Sequence, residues 1–238
     1  MTARALRVAV VAGETSGDQL GAALIEALRA RVPGVEVRGV GGTLMRAAGC
    51  ATSADAHELA LMGLTEVLAH LPRLLWLRRR LRREFLAWQP DVFVGIDAPE
   101  FNLGLAAQLR RAGLKTAQYV SPQVWAWRER RVRAIARACN LVLCLLPFEP
   151  GFYARHAIRA EFVGHPLADQ IPLDVDRGAA RRALGLAPAA TVVALLPGSR
   201  SGEVARLGPG FTAAARTLAG TVAGVEFLEK TQAFVLRY

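Results

Sequence analysis

Leu6-Arg-Val-Ala-Val-Val-Ala-Gly-Glu-Thr-Ser-Gly-Asp-Gln-Leu-Gly21 runs from an apolar stretch through small and polar residues into a helical pattern. Leu6–Ala12 is a nearly continuous apolar run, the signature of a strand buried on both faces. Gly13 allows a tight turn after it, and Gly17 and Gly21 allow close backbone packing. Ser16 or Asp18 can cap a helix over Gly17–Ala30. The same alternation recurs outward from this unit. Strands are expected at Val35–Val40, Val92–Ile96, Thr116–Val120, Leu141–Leu145, Ala160–Val163 and Val192–Leu196. Helices are expected at Pro72–Trp88, Leu103–Arg111, Gln123–Ala138, Arg177–Leu184 and Gly202–Leu218. This rhythm predicts an α/β fold with a Rossmann-like, doubly wound parallel sheet.

Gly164-His-Pro-Leu-Ala-Asp-Gln-Ile-Pro-Leu-Asp174 reads as a connection. The expected organisation is a Rossmann-like domain over 1–166, a connection over 167–176 and a second βα unit over 177–238. That second unit is too short for a complete Rossmann-like domain of ordinary size.

Of the 238 residues 53% are hydrophobic and 21% charged, which excludes wholesale disorder. No stretch approaches the 18 or so apolar residues of a membrane-spanning helix. The first residues lack a signal-peptide core, since the run Val8–Ala12 is short and leads into Gly13-Glu14. Cys50, Cys139 and Cys144 have no Cys-x-x-Cys spacing, which argues against a disulfide scaffold and a cysteine zinc site. His57, His70, His156 and His165 show no ligand spacing either, and His165 fits a cleft wall or a structural role equally. The expectation is a soluble protein of a reducing compartment with no metal.

The formal net charge is +10, and the only lysines are Lys115 and Lys230, so nearly all positive charge is arginine. A GC-rich coding sequence explains arginine over lysine but not the excess of bases over acids. Arginine suits bidentate phosphate contacts, so nucleic acid, an anionic membrane surface or a phosphorylated substrate are the candidate partners. On the helix Pro72–Trp88, Leu74, Leu77, Leu81, Phe85 and Trp88 form a core stripe. Arg78, Arg79, Arg80, Arg82 and Arg83 spread over the other side with Leu75 and Trp76 among them, a face suited either to anionic lipid headgroups or simply to solvent. Trp125-Ala-Trp127-Arg-Glu-Arg130 is a second basic, aromatic stretch, but no RNP, KH or zinc signature supports nucleic-acid binding.

Ligands of open parallel sheets sit beyond the carboxyl ends of strands. Three strand ends carry unusual residues. Gly13–Gly21 lacks both the dinucleotide glycine fingerprint and the Walker lysine, yet places Glu14 at a strand tip beside a helix start. Val92–Ile96 delivers Asp97 to the strand end, where it can act as a general base or cap the next helix. Asn102 stands nearer the capping role. Val192–Leu196 leads into Pro197-Gly-Ser-Arg200, where helix-terminal amides and a guanidinium fork suit a diphosphate, or form an ordinary cap with a surface arginine. Asp174 and Asp176 have the spacing of a metal-nucleotide site but no strand before them, and read as a solvated turn and cap.

These residues together resemble the lipid-A-disaccharide synthase family, bacterial glycosyltransferases of the GT-B fold. The resemblance rests on Ala12-Gly-Glu-Thr-Ser-Gly-Asp18, Gly39-Val-Gly-Gly42, Leu61-Met-Gly-Leu64, Gly95-Ile-Asp-Ala-Pro-Glu-Phe-Asn102, Tyr119-Val-Ser-Pro-Gln-Val-Trp-Ala-Trp127, Leu146-Pro-Phe-Glu149, Phe162-Val-Gly-His-Pro166 and Leu196-Pro-Gly-Ser-Arg200, in that order. It implies transfer of 2,3-diacylglucosamine from UDP-2,3-diacylglucosamine to 2,3-diacylglucosamine 1-phosphate, giving lipid A disaccharide 1-phosphate and UDP. By the resemblance, Asp97 matches the base, Glu14, Ser16, Gly17, Asp18 and Asn102 match substrate-binding positions, and Gly198, Ser199 and Arg200 match the UDP-phosphate motif. It further implies no metal, no cofactor and no nucleic acid, a homodimer in the intact family, and a cytoplasmic protein held peripherally at the inner membrane. Trp76, Arg79, Arg80 and Arg83 would then face lipid. The family-like text stops after about Phe227, as in a C-terminally truncated member with an incomplete nucleotide-sugar-binding domain. Two alternatives stay open: a remnant that binds only acceptor lipid or a membrane surface, and another GT-B nucleotide-sugar enzyme.

Overall fold

A computed structural model describes residues 4–56, 59, 67–127, 129–198, 201–230 and 235–237. The run after Leu6 forms β1 (Arg7–Ala12), buried from Val8 onward. Its neighbours are β2 (Glu36–Gly41) and β4 (Val92–Ile96), both parallel to it. Outward lie β3 (Ala51–Asp55) beside β2, and β5 (Lys115–Tyr119), β6 (Leu141–Cys144) and β7 (Ala160–Phe162) beyond β4. The order is β3-β2-β1-β4-β5-β6-β7, all parallel, so the winding direction reverses between β1 and β4. That reversal leaves a crevice at the carboxyl ends of those two strands.

Alternating side chains of β1 feed two cores. Val8, Val10 and Ala12 pack with Ile25 of α1 (Thr15–Arg31), Met45 of α2 (Thr43–Ala47), and Val94 and Ile96. Ala9 and Val11 pack on the other face with α3 (Val67–Trp88) and α4 (Pro99–Arg111). This is why the run is apolar at every position rather than every second one. The expected α3 stripe is in place: Leu74, Leu77, Leu81 and Phe85 are buried, and Trp88 is partly buried against them. Gly39 has φ +153, and a Cβ there would run into the Val10 carbonyl. The β2–β3 register shifts just after it.

The structure departs from the sequence reading in several places. The helix expected from Pro72 is already formed at Val67, with Pro72 inside it. β3 was not expected: its sequence, Ala-Thr-Ser-Ala-Asp, is too polar to signal a strand, and among the described residues it pairs on one side only. The helix expected over Gln123–Ala138 is broken into α5 (Val124–Trp127), a 3-10 turn (Glu129–Arg131) and α6 (Val132–Ala138). The two α-helical pieces bury separate apolar side chains, Val124 in the first and Val132 and Ile135 in the last, while the 3-10 turn between them buries none. The connection holds a short helix, α8 (Pro166–Gln170), following α7 (Glu149–Ala154) and β7. His165 caps α8, its Nδ1 accepting the Leu167 N–H at 3.1 Å.

The chain divides into two compact units, Met1–Ile171 and Pro172–Tyr238. In the second, α9 (Arg177–Leu184) is capped by the Asp176 carboxylate, which accepts the Ala179 N–H at 2.8 Å. Gly185, with φ +63, ends it in the left-handed conformation. β8 (Thr191–Leu195) pairs in parallel with β9 (Val225–Lys230), and β10 (Val235–Arg237) adds antiparallel to β9. α10 (Ser201–Thr221) crosses between β8 and β9.

All three cysteines are buried in the first unit. Burial pushes the Cys50, Cys139 and Cys144 thiols up to about 12. They are therefore protonated and unreactive at neutral pH in the folded chain. A thiol reagent at pH 8 is expected to label none of them within minutes under native conditions and all three in denaturant. Rapid native labelling of any one would contradict the packing.

Candidate functional site

Four strand ends meet at the carboxyl rim beside the reversal. Gly13 closes against the β4 exit, since a Cβ on Gly13 would overlap that of Ala98. The Gly13–Asp18 loop and the Asp97–Ala98 turn are thus neighbours, as their placement on adjacent parallel strands requires. Glu14 and Asp97 are both half-buried there. Ser16 is exposed and Gly17 buried.

Neither Ser16 nor Asp18 caps α1, contrary to expectation. Glu14 occupies the N-cap position with no side-chain cap hydrogen bond. Asp18 is buried in the first turn and turned toward a different helix. Its Oδ1 accepts the N–H groups of Gly42 and Met45 at 2.7 and 3.0 Å, and its Oδ2 accepts that of Leu44 at 2.9 Å. The carboxylate thus binds the free amides at the start of α2, an internal version of the anion that a helix N-terminus favours. After the thiol's own burial, the negative charge of Asp18 also raises Cys50. A cavity of about 180 Å³ opens beside this clamp, lined among others by Glu14, Thr15, Thr43, Arg46 and Asp55. Arg46 and Asp55 are paired across it at 2.8 Å.

Asp97 and Ala98 have φ of +50 and +40, left-handed values for residues with side chains. Each costs on the order of 1–3 kcal/mol and persists only where its surroundings enforce it. Asn102, expected as a cap or a substrate contact, is instead wholly buried inside α4. Its Nδ2 donates to the carbonyls of Val11, Ile96 and Asp97 at 3.1, 3.3 and 2.8 Å. Ala98 occupies the N-cap position and Pro99 follows in the first turn. Glu100, also in that turn, makes a two-pronged pair with Arg131 at 2.6 and 2.7 Å, which ties α4 to the segment after β5. The sequence reading passed over Gln118. It is a fully buried amide in β5, a strand whose sequence also carries Lys115 and Thr116, so a glutamine there gives little signal.

Further along the rim, Ser121 and Tyr153 share a buried hydrogen bond of 3.0 Å. Burial raises the Tyr153 phenol well above its ordinary value. Glu149, buried at the start of α7, accepts from the Trp125 indole at 3.2 Å and from the Leu146 N–H at 3.0 Å. Trp125 meets Phe148 edge to face.

On α3, Trp76 is 55% exposed, and Arg79 and Arg83 are exposed. Arg80 is held close: it pairs with Glu84 at 2.7 Å, donates to the Ser53 carbonyl and stacks on Trp76. Arg78 is half-buried over the Phe101 ring. No helix among the described residues is long and apolar enough to cross a membrane. In the second unit, Gly198 has φ +133 and lies against Glu203, where a Cβ would not fit. Ser199 and Arg200 lie outside the described residues, as does the Leu61–Leu64 motif.

A sequence model of the lipid-A-disaccharide synthetase family matches residues 8–233, nearly the whole chain. The chain belongs to this family. The family match continues past Phe227, where the sequence reading had ended it. The lipid-A-disaccharide synthase of Xanthomonas euvesicatoria pv. vesicatoria is 59% identical over 213 residues, which are 90% of this chain and 48% of that protein. The lipid-A-disaccharide synthase of Chromohalobacter salexigens is 55% identical over 93% of this chain and 57% of its own length. The chain therefore spans about half the length of the relatives it matches. Solved structures similar in fold include the UDP-GlcNAc 2-epimerase of Neisseria meningitidis bound to UDP-GlcNAc, with TM-score 0.60, 8% identity, and coverage of 95% of this chain and 72% of that one. The spinosyn rhamnosyltransferase SpnG complexed with thymidine diphosphate gives TM-score 0.50 at 18% identity, covering 94% of this chain and 65% of its own. The fold class is α/β of the GT-B type. Within the family motifs, the structure brings Glu14 and Asp97 to one rim, while Asp18 and Asn102 support that rim from beneath.

Asp18→Ala would leave three N–H groups, two of them buried, without their acceptor. It is expected to lower unfolding stability by about 2–4 kcal/mol, read by urea denaturation. Stability unchanged within error would return Asp18 to a ligand-facing role.

Proposed function

We propose that this chain carries the acceptor side of lipid A disaccharide synthesis, with a donor site begun in its second unit. The carrying observation is Asp97, a half-buried carboxylate held in a left-handed turn at the strand reversal, beside the loop that bears Glu14. Asp97 takes the proton of the 6-hydroxyl of 2,3-diacylglucosamine 1-phosphate. The freed oxygen pair attacks the anomeric carbon of UDP-2,3-diacylglucosamine, and the bond to UDP breaks with its electron pair leaving on the diphosphate. A base near the attacking hydroxyl and positive charge near the leaving group are what the reaction needs. Gly198, Ser199 and Arg200 meet the diphosphate. Glu14, with Ser16 and Gly17 beside it, borders the acceptor.

The substrates carry acyl chains, so the protein works at a membrane surface on the cytoplasmic side of the inner membrane. Trp76, Arg79 and Arg83 on α3 supply an exposed aromatic and two cations for anionic headgroups. Arg80 contributes less, because its charge is already matched by Glu84. A homodimer belongs to the same reading, as does a reaction without metal or cofactor.

Transfer is tested directly with both glycolipid substrates and this chain. Asp97→Asn is expected to lower kcat by about 10²–10⁴-fold with UDP affinity unchanged. Unaltered turnover would remove Asp97 from the chemistry. Arg200→Ala should weaken UDP binding by about 1.5–3 kcal/mol in calorimetry, and equal affinity in the variant would reject the diphosphate assignment. If the unmodified chain binds the acceptor lipid but does not transfer, the lipid-binding alternative holds.

A further inference from the structure

The backbone oxygen of Asp97 is gripped from two sides. Asn102 Nδ2 donates to it at 2.8 Å from α4, and Gln118 Nε2 donates to it at 3.0 Å from β5. Both side chains are fully buried. The Asp97 N–H is also fixed, donating to the Tyr119 carbonyl at 2.9 Å. Asp97 is therefore held at both its N–H and its C=O, and two of these three bonds come from β5.

The orientation of each amide follows from what surrounds it. Gln118 Nε2 lies near the carbonyl oxygens of Asp97, Tyr119 and Val120, and Asn102 Nδ2 lies near those of Val11, Ile96 and Asp97. Rotating either amide would place oxygen against oxygen, so the nitrogens must face the turn. The opposite ends, Gln118 Oε1 and Asn102 Oδ1, are buried without a donor among the described residues. An apolar side chain of similar shape would avoid that cost, so these amides are expensive as packing. What they accomplish is donation to the turn.

Gly95 makes room for both. A Cβ there would sit 2.8 Å from Asn102 Cβ and 3.0 Å from Gln118 Oε1. Gly95, Asn102 and Gln118 thus form one unit beneath a strained, half-buried carboxylate. An ordinary strand exit would need none of it, because a right-handed or extended turn costs nothing to hold.

We propose that Gln118 is a positioning residue for Asp97: its amide, together with that of Asn102, holds the left-handed turn that presents the Asp97 carboxyl at the rim. This rests on the reading of Asp97 as the base. Gln118 touches no substrate and acts through the backbone of Asp97 alone.

The test uses the 238-residue chain and its variants Gln118→Met, which keeps the shape and removes the donor, and Gln118→His, whose Nε2–H reaches as far as the lost amide. NMR couplings and carbon shifts of Asp97 and Ala98 report the sign of φ. Gln118→Met is expected to lose the left-handed signature at both residues while the amide pattern of β4 and β5 persists, and Gln118→His is expected to restore it. In the transfer assay Gln118→Met should lower kcat at least about tenfold with acceptor KM within about twofold. A Gln118→Met chain that keeps the left-handed signature and loses only thermal stability would overturn the proposal. A relaxed turn with unchanged kcat would overturn it as well. If Gln118→Met does not fold, Gln118→Val, smaller and suited to a strand, removes the donor without adding bulk, and a Gln118→Val chain that keeps the left-handed signature, or relaxes with unchanged kcat, would overturn the proposal equally. Failure of the functional reading looks different: the unmodified chain would show no transfer, while the NMR comparison would still report whether Gln118 holds the turn.

Discussion

Asn102 joins three parts of the fold through one nitrogen. Its amide reaches the Val11 carbonyl near the end of β1, the last carbonyl of β4 and the carbonyl of Asp97 from within α4. The helix is thereby fixed to the two strands at the point where winding direction changes. Without that joint α4 would still lie on the sheet, because Leu105, Ala106 and Leu109 are fully or almost fully buried there. It would lose the bonds that set its depth and the angle of its first turn. Buried amides of this kind are costly unless bonded, which gives the arrangement its specificity.

The rim has a second clamp of opposite chemistry on the other side of β1. Asp18 draws three backbone amides of the Gly42–Met45 segment onto a single carboxylate. Amide donors organise the β4 side, and a carboxylate acceptor organises the β2 side. Between them, the loop carrying Glu14 is enclosed by rigid neighbours. A polar site that must hold groups to within a fraction of an ångström gains from such support, since the side chains facing substrate inherit their positions from the buried ones.

The charge of +10 acts locally more than globally. Arg131 is consumed by Glu100, Arg80 by Glu84 and Arg46 by Asp55. Arg78 packs over Phe101. Such exposed pairs contribute at most about a kcal/mol each, but they set where uncompensated charge remains. On α3 the cations left without an acidic partner among the described residues are the exposed Arg79 and Arg83, with the half-buried Arg82 beside them, near the exposed Trp76.

The sequence by itself determined the α/β class, the strand runs near the centre of the sheet and the α3 core stripe, because continuous apolar runs and helical periodicity follow directly from burial on two faces or on one. It also placed Glu14, Asp97 and the Gly198 turn at strand ends, since the βα rhythm puts those residues nowhere else. The tertiary structure alone decided what lies beneath them. Asp18 and Asn102 read equally well as caps, ligands or supports, because a polar residue near a helix start has short-range partners in every one of those roles. Only the fold brings Gly42 within reach of Asp18, or Val11 within reach of Asn102, across separations of 24 and 91 residues. The polar edge strand β3 and the break at Trp127 were illegible for the same reason. Pairing with β2 and the separate burial of Val124 and Val132 are long-range facts that local propensity does not encode.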